Sequence, residues 1–151
     1  MGKYLILCAT DGSPAARKAL DFAADLTREK GGKLLVMHVQ QTHGSSLVTP
    51  GLEELERVEN IRLTEADMLH GAAEHIAEQG ARSARERGAP SVDILVEEGD
   101  PASRIVEAAR DHGAEAIVIG SRGLGDLQGL LLGSVSHKVA HLAPCTCIIV
   151  R

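Results

Sequence analysis

The chain has 151 residues, 44% apolar and 25% charged, with a formal net charge of −5, the size and balance of one soluble globular domain spanning 1–151 rather than of a disordered tail. Tyr4 and Phe22 are the only aromatic residues and no Lys/Arg cluster stands out, which argues against base-stacking on single strands and against a nucleic-acid backbone as partner. No apolar run reaches the roughly 20 residues that span a bilayer, the N-terminus MGKYLILCATDG lacks a signal-peptide cleavage pattern, and three cysteines fit a reducing compartment; the chain is expected in the cytoplasm, with no membrane partner.

Tyr4–Ala9 is a short apolar run, read as the first strand, and it ends in Thr10-Asp11-Gly12-Ser13-Pro14. Asp11 or Ser13 followed by Pro14 is a cap with proline in the first turn, so a helix should start there. Ala16, Leu20, Ala23, Ala24 and Leu26 recur at helical spacing until Gly31-Gly32 stops them. Leu34–Val39 reads as the second strand, and the polar stretch Gln40–Gly51 as a surface loop. From Leu52 to about Arg87 runs one long helical pattern whose length suggests a break or fray at Gly71 or Gly80. Val92–Val96 is the third strand. Gly99-Asp100-Pro101 opens a helix that runs to Gly113, and Ala116–Ile119 is the fourth strand. Ser134–Leu142 is the last helix, Pro144 stops it, and Thr146–Val150 is the fifth strand. Strict alternation of strand and helix implies an α/β fold: a mainly parallel sheet with helices on both faces, with ligands expected at strand carboxyl ends.

The segment after the fourth strand, GSRGLGDLQGLLLGSVS at 120–136, has the layout of a phosphate cradle. Glycines let backbone N–H groups turn inward, and a helix N-terminus adds its positive dipole end. Walker A is excluded because no Gly-Lys-Ser/Thr follows, and the dinucleotide fingerprint fails because Gln128 stands where its third glycine belongs. His137 and His141 lie four apart, but Lys138 occupies the position where a zincin needs Glu. They read as surface or packing residues. His38 reads as a strand-end residue, and His70 and His75 do not share a helix face. Cys145 and Cys147 have one residue between them, unlike zinc or thioredoxin spacings, and strand alternation puts both on one face as small apolar residues. Glu53–Glu59 reads as a solvated helix face.

The spacing Gly120-x2-Gly123-x9-Gly133-Ser134 resembles the hallmark of the universal stress protein family, ATP-binding type. The likeness extends to Thr10-Asp11-Gly12-Ser13, to His38-Val39 and to Ala143-Pro144-Cys145, so it covers essentially the whole chain. Thr146-Cys147 departs mildly from the Pro-Val that often follows that cysteine in the family.

The resemblance implies a Rossmann-like three-layer sandwich with five strands in the order 3-2-1-4-5 and ATP bound between strands one and four. Carried over position by position, Ala9, Thr10 and Asp11 lie around the adenosine, Asp11 accepts a ribose hydroxyl and Val39 contacts adenine. Gly120 and Gly123 cradle ribose and phosphates, while Gly133, Ser134, Val135 and Ser136 bind phosphate. Arg122 belongs with this set, either paired with phosphate or pointing to solvent. Mg2+ or Mn2+ would be held mainly by the phosphates, and a homodimer would form through the C-terminal strand. Lacking an activated nucleophile, a metal cluster or an obvious base, the sequence reads as a stress-response binding module. A weak ATPase or nucleotide-transferring enzyme and a nucleotide-free dimeric scaffold are the alternatives.

Overall fold

The structure is a computed structural model that describes residues 4–41, 55–122 and 133–151, with side chains left aside for 55–67. Five strands and four helices alternate: β1 (Leu5–Ala9), α1 (Pro14–Lys30), β2 (Lys33–Gln40), α2 (Leu55–Glu86), β3 (Val92–Glu98), α3 (Pro101–His112), β4 (Ala116–Gly120), α4 (Ser134–Leu142) and β5 (Thr146–Val150). All four strand pairings are parallel, in the order β3-β2-β1-β4-β5. The expected architecture and strand order are therefore present. The polar loop expected over 40–51 and the first residues expected for the long helix fall largely outside the described residues.

Alternation along the strands builds two cores, one on each face of the sheet. Ile6 and Cys8 of β1, Leu34 and Val36 of β2 and Val118 of β4 pack with Ala19, Leu20, Ala23 and Ala24 of α1 and with Ala81 and Ala84 of α2. On the opposite face, Leu7, Ala9, Leu35, Met37, Ile117 and Ile119 pack with Ala102, Ile105, Ala108 and Ala109 of α3 and with Val139 of α4. Both β1 and β4 are apolar along their whole length because helices cover them on each side. Cys145 and Cys147 lie half-buried against the second core, on one face as the alternation requires. Burial pushes both thiols above their ordinary pKa, and takes that of the fully buried Cys8 up to about 12.

The helix starts follow the caps. Ser13, not Asp11, caps α1: its hydroxyl accepts from the Ala16 N–H at 3.2 Å, with Pro14 as the first helical residue. Asp100 does the same for α3, accepting from the Ser103 N–H at 3.0 Å ahead of Pro101. Gly31 and Gly113 end these two helices in the left-handed conformation.

The helix α2 runs unbroken through 32 residues, past both glycines at which a break was expected. Its buried stripe is Ala73, Ala77, Ala81 and Ala84, and small side chains let the helix lie close to the sheet. At Gly80 the approach is tight: a Cβ there would stand 3.1 Å from Val36 Cγ1 of the sheet and 3.4 Å from Leu20 Cδ2 of α1. Packing against the sheet thus outweighs the local cost of the glycine. Gly71 differs, because no described atom comes within 4 Å of a Cβ built there. Gly71→Ala is expected to stabilise the fold by up to about 1 kcal/mol, the propensity difference in a helix interior. Urea denaturation checks this, and a destabilised variant would show that α2 needs the glycine.

Candidate functional site

Because β1 lies between β2 and β4, the loops leaving β1 and β4 open side by side at the carboxyl edge of the sheet. This is the switch point at which open parallel sheets hold their ligands. The β1–β4 register pairs Cys8 with Val118, so continuing it sets Thr10 beside Gly120.

On the β1 side, Thr10 is buried and its N–H donates to the Met37 carbonyl of β2 at 2.8 Å. The turn that follows is bonded within Thr10–Ser13. The Gly12 N–H donates to Thr10 Oγ1 at 3.2 Å, and the Ser13 N–H to Asp11 Oδ1 at 2.9 Å. Asp11 is half-buried, and Gly12 takes φ +80°, a conformation open mainly to glycine. Asp11 thus forms a local turn and leaves capping to Ser13.

On the β4 side, the ends of the loop are pinned together. The Ser121 N–H donates to Val150 O at 2.8 Å, while the Ser121 carbonyl accepts from the Gly133 N–H and, at 3.1 Å, from the Ser136 hydroxyl. That hydroxyl also lies 3.0 Å from the Gly133 carbonyl. Ser136 is buried and ties Ser121 to the start of α4. The family resemblance implies a phosphate contact for Ser136, whereas its hydroxyl proton is directed at carbonyls. Gly133 is buried at the N-cap position and has no side chain to take the first-turn N–H groups of α4, which lack acceptors within the helix. Ser134 is exposed beside them and Arg122 is exposed at the mouth of the loop. Gly123 lies outside the described residues.

Three residues expected at the adenosine or phosphate meet in one apolar cluster. Ala9, Val39 and Val135 all pack into the second core, together with Ile119. Val135 stands in the first turn of α4, so that turn joins the second core through an aliphatic side chain while its N–H groups lie at the helix start. The outer side of α4 is held by Lys138, whose Nζ lies 3.3 Å from Asp100. The Asp100 carboxyl is kept below its ordinary pKa by the Ser103 hydroxyl, the Ser103 N–H and Lys138. Among the described residues no group of three or more His, Cys, Asp or Glu is placed to hold a metal ion, and His137 and His141 are both exposed.

Gly120 has a second duty that its motif does not announce. A Cβ there would stand 2.9 Å from the carbonyl carbon and oxygen of Ala15 and 3.2 Å from the Ala16 nitrogen. The first turn of α1 therefore rests on the end of β4. Ser121 and His38 carry hydrogen bonds at the site that sequence reasoning missed. Ser121 acts through its main chain, which no residue-type signal reports, and His38 had been read only as a strand-end residue.

Comparison with known proteins agrees with this fold. The model of the universal stress protein family matches residues 5–151. The chain is 34% identical to a universal stress protein of Bacillus subtilis, YxiE, over 97% of both chains. It is 37% identical to one from Thermus aquaticus, again over 97% of both. The chain belongs to the universal stress protein family. The fold is shared with the universal stress protein UspA of Lactobacillus plantarum, at a TM-score of 0.81 and 24% identity over the full length of both. It is shared too with a universal stress protein solved in complex with cAMP, at 0.69 and 22% over 100% and 98% of the chains. A third, from Archaeoglobus fulgidus and solved with dAMP, gives 0.67 and 24% over 99% and 98%.

Gly120→Ala should destabilise the protein by about 1–3 kcal/mol, the usual cost of forcing a methyl group into a filled space. The obstructing atoms are backbone and can yield only if α1 moves. Guanidinium denaturation measures it, and unchanged stability would remove the contact from the account.

Proposed function

We propose that this chain binds an adenine nucleotide, ATP foremost, in the crevice between the loops that follow β1 and β4, and that it serves as a nucleotide-dependent module of the stress response in the cytoplasm. The observation that carries the reading is the start of α4 at the carboxyl edge of the sheet: Gly133 offers no side-chain cap, so the first-turn N–H groups are left for a phosphate, and Val135 of that turn belongs to the same apolar core as Ala9, Val39 and Ile119. In this reading Asp11, at the rim, accepts from the ribose, and Thr10 and Gly120 line the approach. Gly123, Gly133 and Ser134 complete the phosphate side together with Arg122, and Ser136 holds the cradle shut. A divalent cation would be carried in by the phosphates, which need few protein ligands for it. Structures of family relatives with cAMP and dAMP support an adenine nucleotide as the class of ligand. No helix among the described residues is long and apolar enough to cross a membrane.

Mass spectrometry of small molecules released from the purified protein is expected to find ATP with a divalent metal. An empty protein whose melting temperature ignores millimolar ATP and cAMP would overturn the reading. Ser134→Ala should weaken ATP binding by about three- to tenfold, the worth of one hydrogen bond to a charged group, and leave adenosine binding nearly untouched. Equal losses for both ligands would move Ser134 out of the phosphate site.

We further propose that two copies of the chain pair through β5. The two edge strands differ: β3 carries Asp93, Glu97 and Glu98, with Lys33 paired to Asp93, whereas β5 is Thr-Cys-Ile-Ile-Val with no charge and four half-buried residues. Unprotected apolar edges seek partners. Sedimentation equilibrium should report a dimer, and Ile148→Lys a folded monomer by the same measurement with circular dichroism. A monomeric wild type would refute the pairing.

A further inference from the structure

The half-buried ring of His38 closes the end of β2 against the β1 loop, with Nδ1 2.8 Å from the Thr10 carbonyl oxygen. A carbonyl can only accept, so Nδ1 carries the proton, and whenever the ring is neutral Nε2 is the acceptor. The bond has a directional consequence. The Thr10 carbonyl belongs to the same planar peptide unit as the Asp11 nitrogen and Cα, and fixing the oxygen therefore fixes the direction in which Asp11 leaves the sheet. The ladder of β1 with β2 ends at the pair Ala9–Met37, and α1 begins only at Pro14. Across that gap two consecutive residues of β2 grip Thr10: Met37 accepts its N–H at 2.8 Å, and the His38 ring donates to its carbonyl.

From this geometry, and resting on the nucleotide reading above, we infer that His38 is the positioning residue of the adenosine half of the site: its Nδ1–H aims the Thr10–Asp11 peptide so that the Asp11 carboxylate meets the ribose. The role belongs to one ring nitrogen, which makes it separable from packing. In His38→Asn the amide nitrogen falls where Nδ1 was, and the donor is kept. In His38→Gln the amide reaches instead toward the place of Nε2, and in His38→Ala the donor is lost.

The experiment combines calorimetric titration of wild type and the three variants with ATP and with adenosine, melting of each protein without ligand, and 15N spectra of the histidines in ligand-free wild type. The expected result is the Nδ1–H tautomer for His38, His38→Asn binding both ligands within about threefold of wild type, and His38→Gln and His38→Ala binding both about tenfold more weakly, the worth of one well-placed hydrogen bond. Asn and Gln are expected to melt at similar temperatures while their affinities differ, which a purely structural role would not produce. The inference is overturned by an Nε2–H tautomer, by His38→Asn binding as poorly as His38→Ala, or by wild-type affinity in His38→Gln or His38→Ala. A wild type that binds neither ligand overturns the nucleotide reading itself and this role with it, whereas tight wild-type binding indifferent to all three substitutions removes His38 alone.

Discussion

The parallel pairing of β1 with β4 is the constraint on which the site depends. These strands are separated in sequence by three helices and two other strands, yet Ile6, Leu7 and Cys8 lie directly against Ala116, Ile117 and Val118. Only that adjacency brings the Thr10–Ser13 turn next to the Gly120–Ser121 turn. The contact of α1 with Gly120 then draws the two turns closer, since a helix can rest on a strand end at backbone distance only where no side chain intervenes. Core packing on both faces makes the pairing robust, since each strand contributes residues to each core.

Main-chain atoms do most of the work at the crevice. Thr10 is held by its N–H and carbonyl, Ser121 by both of its main-chain groups, and α4 opens on a glycine that offers no side-chain cap. A site made in this way is rigid where the sheet dictates it and accessible where the helix begins. It also tolerates exchange of many side chains, because the donors it presents are N–H groups that nearly every residue type carries. Backbone donors at a helix start suit phosphate, whose oxygens accept from several directions.

Much of this was legible in the residues. The cap at Asp100, the start of α1 beside Pro14, the left-handed stops at Gly31 and Gly113, and the bounds of the last helix and last strand follow from local chemistry that tertiary packing did not override. The choice of Ser13 over Asp11 as the α1 cap needed the structure. Strand order was not legible in this way. Alternation of strand and helix allows several orders, and it was the likeness of Gly120, Gly123, Gly133 and Ser134 to one family's spacing that selected β1 and β4 as neighbours. The suspected break in α2 failed for a physical reason: glycine weakens a helix by its lack of a side chain, and at Gly80 that same lack permits the contact with Val36 and Leu20. What stayed hidden were the bonds made by atoms common to all residues. The carbonyl of Ser121 has no signature, and the choice between the two nitrogens of His38 depends on a carbonyl 28 positions away in the chain.

A net charge of −5 opposes the approach of the nucleotide proposed above, and the local distribution of charge decides how far that opposition is felt at the crevice. Several described carboxylates are paired with cations: Asp25 with Arg87, Asp93 with Lys33, Glu107 with Arg104 and Asp100 with Lys138. These pairs are exposed, so water and salt screen them over about 8–10 Å, and they add little field at the loops. Within that distance the α4 N-terminus is a fixed source of positive potential that needs no lysine, and it acts through donors already aligned by the helix. Local geometry therefore decides the sign of the site while net charge governs only the approach from afar. The proposed site would follow the same division: an anion anchored at α4 by N–H groups would ask of its aliphatic neighbours only that they remove a base from water.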